Sequence, residues 1–158
     1  MKKNTRFLTQ SALIAALYVA LTFVSSSMGL ASGAIQIRIS EALTILPMFS
    51  LAAVPGLFIG CLTANLLTGA ALWDVIFGAF ATLLGALGTY RWGKNYYLSV
   101  IFPIAANTLI IPFVLKLAYG VGEGYQFLFL TIFAGELISC GVFGTILGKA
   151  LQRTKLFE

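Results

Sequence analysis

Glu136 lies inside an apolar run, Phe127 to Leu147, and its nearest charged neighbours in sequence are Glu123 and Lys149. An ionised side chain at bilayer depth costs about 2.5–3.5 kcal/mol on insertion scales, so a carboxylate kept there usually serves a partner or a ligand. Asn107, within another apolar run, poses the same question more weakly. Glu41, Asp74 and Asn65 stand near the ends of further apolar stretches, with Trp73 beside Asp74 and Arg38 just upstream of Glu41. Carboxylate and amide groups together can read the hydrogen-bonding edge of a small planar polar ligand. An indole can stack on its face, and a guanidinium can close the pocket. This is binding chemistry, and no enzyme is expected: histidine is absent and no nucleophile motif is present. The two cysteines, Cys61 and Cys140, lie far apart in apolar segments, so neither a disulfide framework, a metal site nor a cofactor is expected.

Each of these residues also has a plainer role. Glu41 can satisfy a helix start behind an N-capping Ser40 and pair with Arg38, and Asp74 is likewise close to a helix N-terminus. Trp73 suits an interfacial anchor. Asn107 can serve helix packing or bond to backbone carbonyls freed by Pro103 and Pro112. Glu136 has the weakest structural excuse, because nothing near it in sequence can pair with it.

The elements that must position these groups are membrane helices. The chain is 59% hydrophobic and 9% charged, with no polar stretch large enough to fold separately, so residues 1–158 form a single membrane domain. Runs of about 20 apolar residues, enough to cross a bilayer, occur at Phe7 to Met28, Trp73 to Gly88, Tyr96 to Leu117 and Phe127 to Gly148. The first is longer than a signal-peptide core and reads as a retained helix. Glu41 to Thr68 is broken at Val54-Pro55-Gly56 and reads as two short helices, with one kinked helix as the alternative. Two give an all-α fold of six transmembrane helices with both termini cytoplasmic. Lys2, Lys3, Arg6, Arg91, Lys94, Lys149, Arg153 and Lys155 then face inward and only Arg38 and Lys116 outward, as the positive-inside rule requires. The positive charge is thus orientation information, and no nucleic-acid partner is expected.

The outer connections are then Gly29 to Ser40, Gly69 to Leu72 and Ala118 to Gln126, and the first and third are long enough to cover a site. Ile35-Gln-Ile-Arg-Ile39 alternates apolar and polar residues, which suits a short extended segment with Gln36 and Arg38 on one face. In the first helix Ala12, Ala16 and Ala20 recur at intervals of four, a small-residue stripe that lets another helix approach closely. Gly56/Gly60 and Gly144/Gly148 repeat that spacing and read as internal packing sites.

The sequence resembles the QueT family, the queuosine-precursor substrate-binding (S) components of energy-coupling factor transporters. The resemblance is clearest in Gln36-Ile-Arg-Ile-Ser-Glu-Ala-Leu-Thr-Ile-Leu-Pro47, and it extends through Asn65 to Gly69, Trp73-Asp74 to Gly78 and Gly135-Glu-Leu-Ile-Ser139. It implies a multi-pass protein of the bacterial plasma membrane with an outer substrate pocket under loops. It also implies a helix-one small-residue motif, here Ala12, Ala16 and Ala20, against a transmembrane coupling subunit that two ATPase subunits drive. The implied ligands are 7-deazaguanines, the cyano and aminomethyl precursors or queuine. One carboxylate, Glu136 or Asp74, would accept from the guanine-like edge while the other meets an aminomethyl group, with Asn107 and Asn65 on the remaining ring atoms. Two other readings stay open: an S component for another vitamin or nucleobase, and a self-sufficient proton-coupled carrier using Glu136.

Overall fold

The computed structural model describes residues 2–31 and 35–154, so Lys155, assigned above to the inner face, lies outside the described residues. Four segments are long and apolar enough to cross a membrane. These are α1 (Lys2–Ser27), α3 (Leu72–Trp92), α4 (Tyr96–Tyr119) and a continuous rod from Tyr125 to Thr154. The rod comprises α5 (Tyr125–Glu136), a π-helical segment (Leu137–Gly144) and α6 (Thr145–Thr154). Between α1 and α3 run a 3-10 helix (Ile39–Met48) and α2 (Ala53–Leu67). No strand occurs among the described residues.

The stretch from Glu41 to Thr68 does divide in two, but at Phe49–Ala52 and not at Val54-Pro55-Gly56. Pro55 falls in the first turn of α2, where its missing N–H has no intrahelical acceptor to serve. The first piece is also not an α-helix. Every residue from Ser40 to Pro47 is buried, so this 3-10 helix runs through the middle of the bundle, apolar nearly all round. The Thr44 hydroxyl donates to the Glu41 carbonyl at 2.6 Å, a link to the third residue back that matches the 3-10 register. Its N-cap is Arg38, not Ser40; Ser40 sits inside the helix and accepts from the Thr22 hydroxyl at 2.9 Å.

Close packing follows from small residues. A Cβ on Gly56 would lie 2.7 Å from the Ser11 carbonyl, and one on Gly60 would lie 2.8 Å from the Tyr18 Cβ, so both glycines bring α2 onto α1. Gly148 does the same for α6 against Tyr96 and Ile45, and Gly144 packs over the Ala42 carbonyl. Helix α1 buries Ser11, Ile14, Tyr18, Thr22 and Ser25 and leaves Ala12, Ala16 and Ala20 exposed on its other side. The chain reverses at each connection. The start of α1, the Phe49–Ala52 turn, the α3–α4 turn and the end of α6 therefore share one end of the bundle, where Tyr96 donates to Gln152 and Ser11 to the Ala52 carbonyl at 2.8 Å. Residues 28–31 and 35–38 and the connections 68–71 and 120–124 lie at the other end, where the Tyr119 hydroxyl accepts from the Ala71 N–H.

Candidate ligand-binding site

The end of the bundle opposite the termini holds a cavity of about 460 Å³. Its wall repeats the helical period on each element. Thr22 and Ser26 come from α1, Asn65 and Thr68 from α2, Asp74 from the first turn of α3, and Ile111, Leu115 and Tyr119 from α4. Gln36 and Arg38, on the extended segment before the 3-10 helix, enter from the side. The Arg38 N–H donates to the Ser139 hydroxyl at 3.1 Å and the Ile39 N–H to the Ser25 hydroxyl at 2.8 Å, which ties this segment to both α1 and the π-helical stretch. The Arg38 guanidinium has no hydrogen-bond or ion-pair partner among the described residues.

Beneath the cavity lies a crevice of only about 20 Å³, lined by Glu41, Cys61, Thr82, Asn107 and Glu136 and sharing Gln36, Arg38 and Ile111 with the space above. Its polar groups are bonded to one another. Tyr18 donates its hydroxyl to Glu41 Oε1, and Asn107 Nδ2 donates to Glu41 Oε2 at 3.4 Å and to Glu136 Oε1 at 3.0 Å. The Cys140 thiol reaches Glu136 Oε2 at 3.1 Å. All four oxygens of the two carboxylates thus have a donor, and the volume left suits about one water. Glu41, Glu136 and Cys140 also offer ligand atoms within 4.8 Å of one another, but these atoms are the ones already engaged in this network.

Asp74 differs from the deep pair. Its Oδ2 accepts from the Tyr119 hydroxyl at 3.0 Å, whereas Oδ1 is buried with no partner. The Asn65 amide donates to the Asp74 backbone carbonyl at 3.3 Å and so holds the base of that residue. The expected residues therefore divide: Arg38, Asn65 and Asp74 line the larger cavity, Glu41, Asn107 and Glu136 cluster below it, and Arg38 borders both. Trp73 is not brought to either. It is 56% exposed, stacks on Phe77 with ring centroids 5.8 Å apart, and lines an apolar groove on the outside of α3 and α4.

Glu41 does stand in the first turn of the 3-10 helix, but it is fully enclosed and its carboxylate oxygens accept from Tyr18 and Asn107 and not from Arg38. Glu136, expected to have no partner near it in sequence, has one four residues on in the Cys140 thiol and a second 29 residues away in Asn107. Two further side chains belong to the site, Tyr18 on Glu41 and Tyr119 on Asp74. The polar stripe Ser11, Tyr18, Thr22, Ser25 marks the inner face of α1, and the four-residue interval from Asn107 through Ile111 and Leu115 leads to Tyr119.

Residues 8–153 match the family model described as QueT transporter. The queuosine precursor transporter QueT of Lactococcus lactis subsp. cremoris (strain MG1363) is 28% identical over 169 residues, an alignment covering 99% of this chain and 99% of that protein. No solved structure matches the chain.

Proposed function

The chain belongs to the QueT transporter family, and on that premise we propose that it captures a queuosine precursor of the 7-deazaguanine type in the larger cavity. The carrying observation is that a chain of this family encloses about 460 Å³ of space walled by hydroxyl, amide, carboxylate and guanidinium groups. Ligand pockets generally run from about 300 to 1,000 Å³, with a few placed polar groups fixing orientation. Arg38, Asn65 and Asp74 contact the ligand in this scheme, while Glu41, Asn107 and Glu136 hold the floor. Trp73 serves as an interfacial anchor on the lipid side.

Uptake is powered from outside this chain. It has no G-x-x-x-x-G-K-[ST] phosphate loop; the nearest run, Gly88 to Asn95, lacks the final hydroxyl residue and lies at the C-terminal end of α3, not at a helix start. We therefore assign it the role of S component of an energy-coupling factor importer in the bacterial plasma membrane. Ala12, Ala16 and Ala20 on the exposed side of α1 meet the transmembrane coupling subunit, and two ATPase subunits drive transport. Six crossings with cytoplasmic termini complete the scheme and place the cavity on the extracellular side.

Calorimetric titration of the purified protein with queuine, cyano- and aminomethyl-7-deazaguanine, and guanine tests the ligand class. Saturable binding of a deazapurine in preference to guanine is expected, and no binding by demonstrably folded protein overturns the reading. Uptake that persists after deletion of the ATPase subunits overturns the powered step alone.

A further inference from the structure

The wall of the larger cavity spends most of its hydrogen-bonding capacity within the protein. The Thr22 hydroxyl is engaged by the Tyr18 carbonyl at 2.8 Å and by Ser40 at 2.9 Å, and the Thr68 hydroxyl donates to the Ala64 carbonyl at 2.8 Å. The Asn65 amide nitrogen serves the Asp74 carbonyl at 3.3 Å and the Cys61 sulfur at 3.7 Å. Gln36 stands apart. It lines both the cavity and the crevice below, and its carboxamide has no hydrogen-bond partner among the described residues. Arg38 can only donate and Ser26 offers a single oxygen, so Gln36 alone in this wall presents an unspent donor and an unspent acceptor side by side.

The backbone holds that group in place. Side chains alternate along the extended segment before the 3-10 helix, so Gln36 and Arg38 share its cavity face. The N–H groups of the next three residues are all tied: Ile37 donates to the Leu30 carbonyl at 2.9 Å, Arg38 to the Ser139 hydroxyl at 3.1 Å and Ile39 to the Ser25 hydroxyl at 2.8 Å. Gly135 packs directly against the Gln36 carbonyl, with no room for a Cβ between them. A ligand that pairs with the carboxamide therefore has one side chain to order and no backbone. The carbonyl and amine of a carboxamide lie in one plane and match a lactam, whose ring N–H and adjacent carbonyl present the reverse pattern, so two parallel hydrogen bonds form at once.

We infer that Gln36 is a specificity-determining residue of the cavity, and that its carboxamide pairs with the lactam edge of a guanine-type ring, the ring N–H and the carbonyl beside it. This rests on the ligand class proposed above and goes beyond it by assigning which edge of the ring is read and by which side chain. The probes are aminomethyl-7-deazaguanine and the 2-amino-7-deazapurine with the same arm. The second keeps the ring, the exocyclic amine and the arm but lacks the carbonyl and, with it, the ring N–H. In calorimetric titration the wild-type protein binds the lactam probe about tenfold or more tightly than its counterpart. Gln36→Met keeps the length of the side chain and removes both polar atoms. It brings the two probes within about threefold of each other by weakening the lactam probe alone, and it unfolds at the wild-type temperature. Equal binding of the two probes by wild type overturns the inference and leaves the ligand class standing. A preference that survives in Gln36→Met overturns it by assigning the edge to another residue. An equal loss for both probes overturns it by making Gln36 a support of the cavity wall. Failure of the lactam probe to bind wild-type protein overturns the inference together with the ligand class.

Discussion

At the scale of single residues the deepest part of the molecule is a closed set of hydrogen bonds. Asn107 is its centre, since one amide nitrogen joins Glu41 to Glu136 and hence the 3-10 helix to the end of α5. Replacing it by alanine leaves one oxygen of each carboxylate without a donor. Interhelical hydrogen bonds in membranes average about 0.6 kcal/mol and reach about 1.7, so losing two predicts a destabilisation of roughly 1–3 kcal/mol for Asn107→Ala. Thermal or denaturant unfolding in detergent checks this. Glu136→Gln keeps the acceptor for Asn107 and does not alter the larger cavity, so its unfolding midpoint and its ligand affinity are expected within about threefold of wild type in the corresponding equilibrium. A large loss of affinity would instead place Glu136 in contact with the ligand. The sequence singles out Glu136 and Asn107 because polar groups in apolar runs are expensive. It does not reveal that they meet, because that depends on the register between α4 and α5.

The elements explain why the register takes this form. The rod from Tyr125 to Thr154 changes to π-helical geometry directly after Glu136, and the residues of that stretch turn inward: Ser139 accepts from Arg38, Cys140 reaches Glu136, and Gly144 packs over Ala42. Such π segments widen a helix at a cost and are common at functional positions. Apolar periodicity predicts a crossing here but carries no mark of the change in winding, and the same holds for the 3-10 winding of Ile39–Met48. The break in the central pair was expected at Pro55 because proline is the visible breaker; a proline in a first turn breaks nothing. Gly135 gives the element scale its test. A Cβ there would run into the Gln36 carbonyl, so Gly135→Ala must displace the segment that carries Gln36 and Arg38 into the cavity. Ligand affinity is expected to fall at least tenfold. In Gly141→Ala the added carbon meets nothing closer than 3.8 Å, and titration should find that variant close to wild type.

For the whole molecule the two ends differ in charge as well as in architecture. Lys3, Arg6, Arg91, Lys94, Lys149 and Arg153 belong to the end with the termini, while Arg38 and Lys116 belong to the end with the cavity. This distribution was legible in the sequence, because it depends only on the order of apolar runs and the charges between them. Under the positive-inside rule it supports the proposed orientation with the cavity outside, and the Ala12, Ala16, Ala20 stripe points away from the bundle. The buried face of α1 carries Tyr18 into the Glu41 network and Thr22 into the cavity wall, so one helix lines the proposed ligand site on one side and offers small residues on the other. The two functions should separate by mutation. Ala16→Leu adds bulk only on the exposed side, so the isolated protein is expected to bind ligand within about twofold of wild type and to unfold at the same temperature. Co-purification with the coupling subunit, and uptake by cells that hold the complete importer, should be lost, because a leucine there prevents the close helix approach that small residues permit. Loss of ligand binding with assembly intact would mean that this face of α1 supports the cavity instead of the partner.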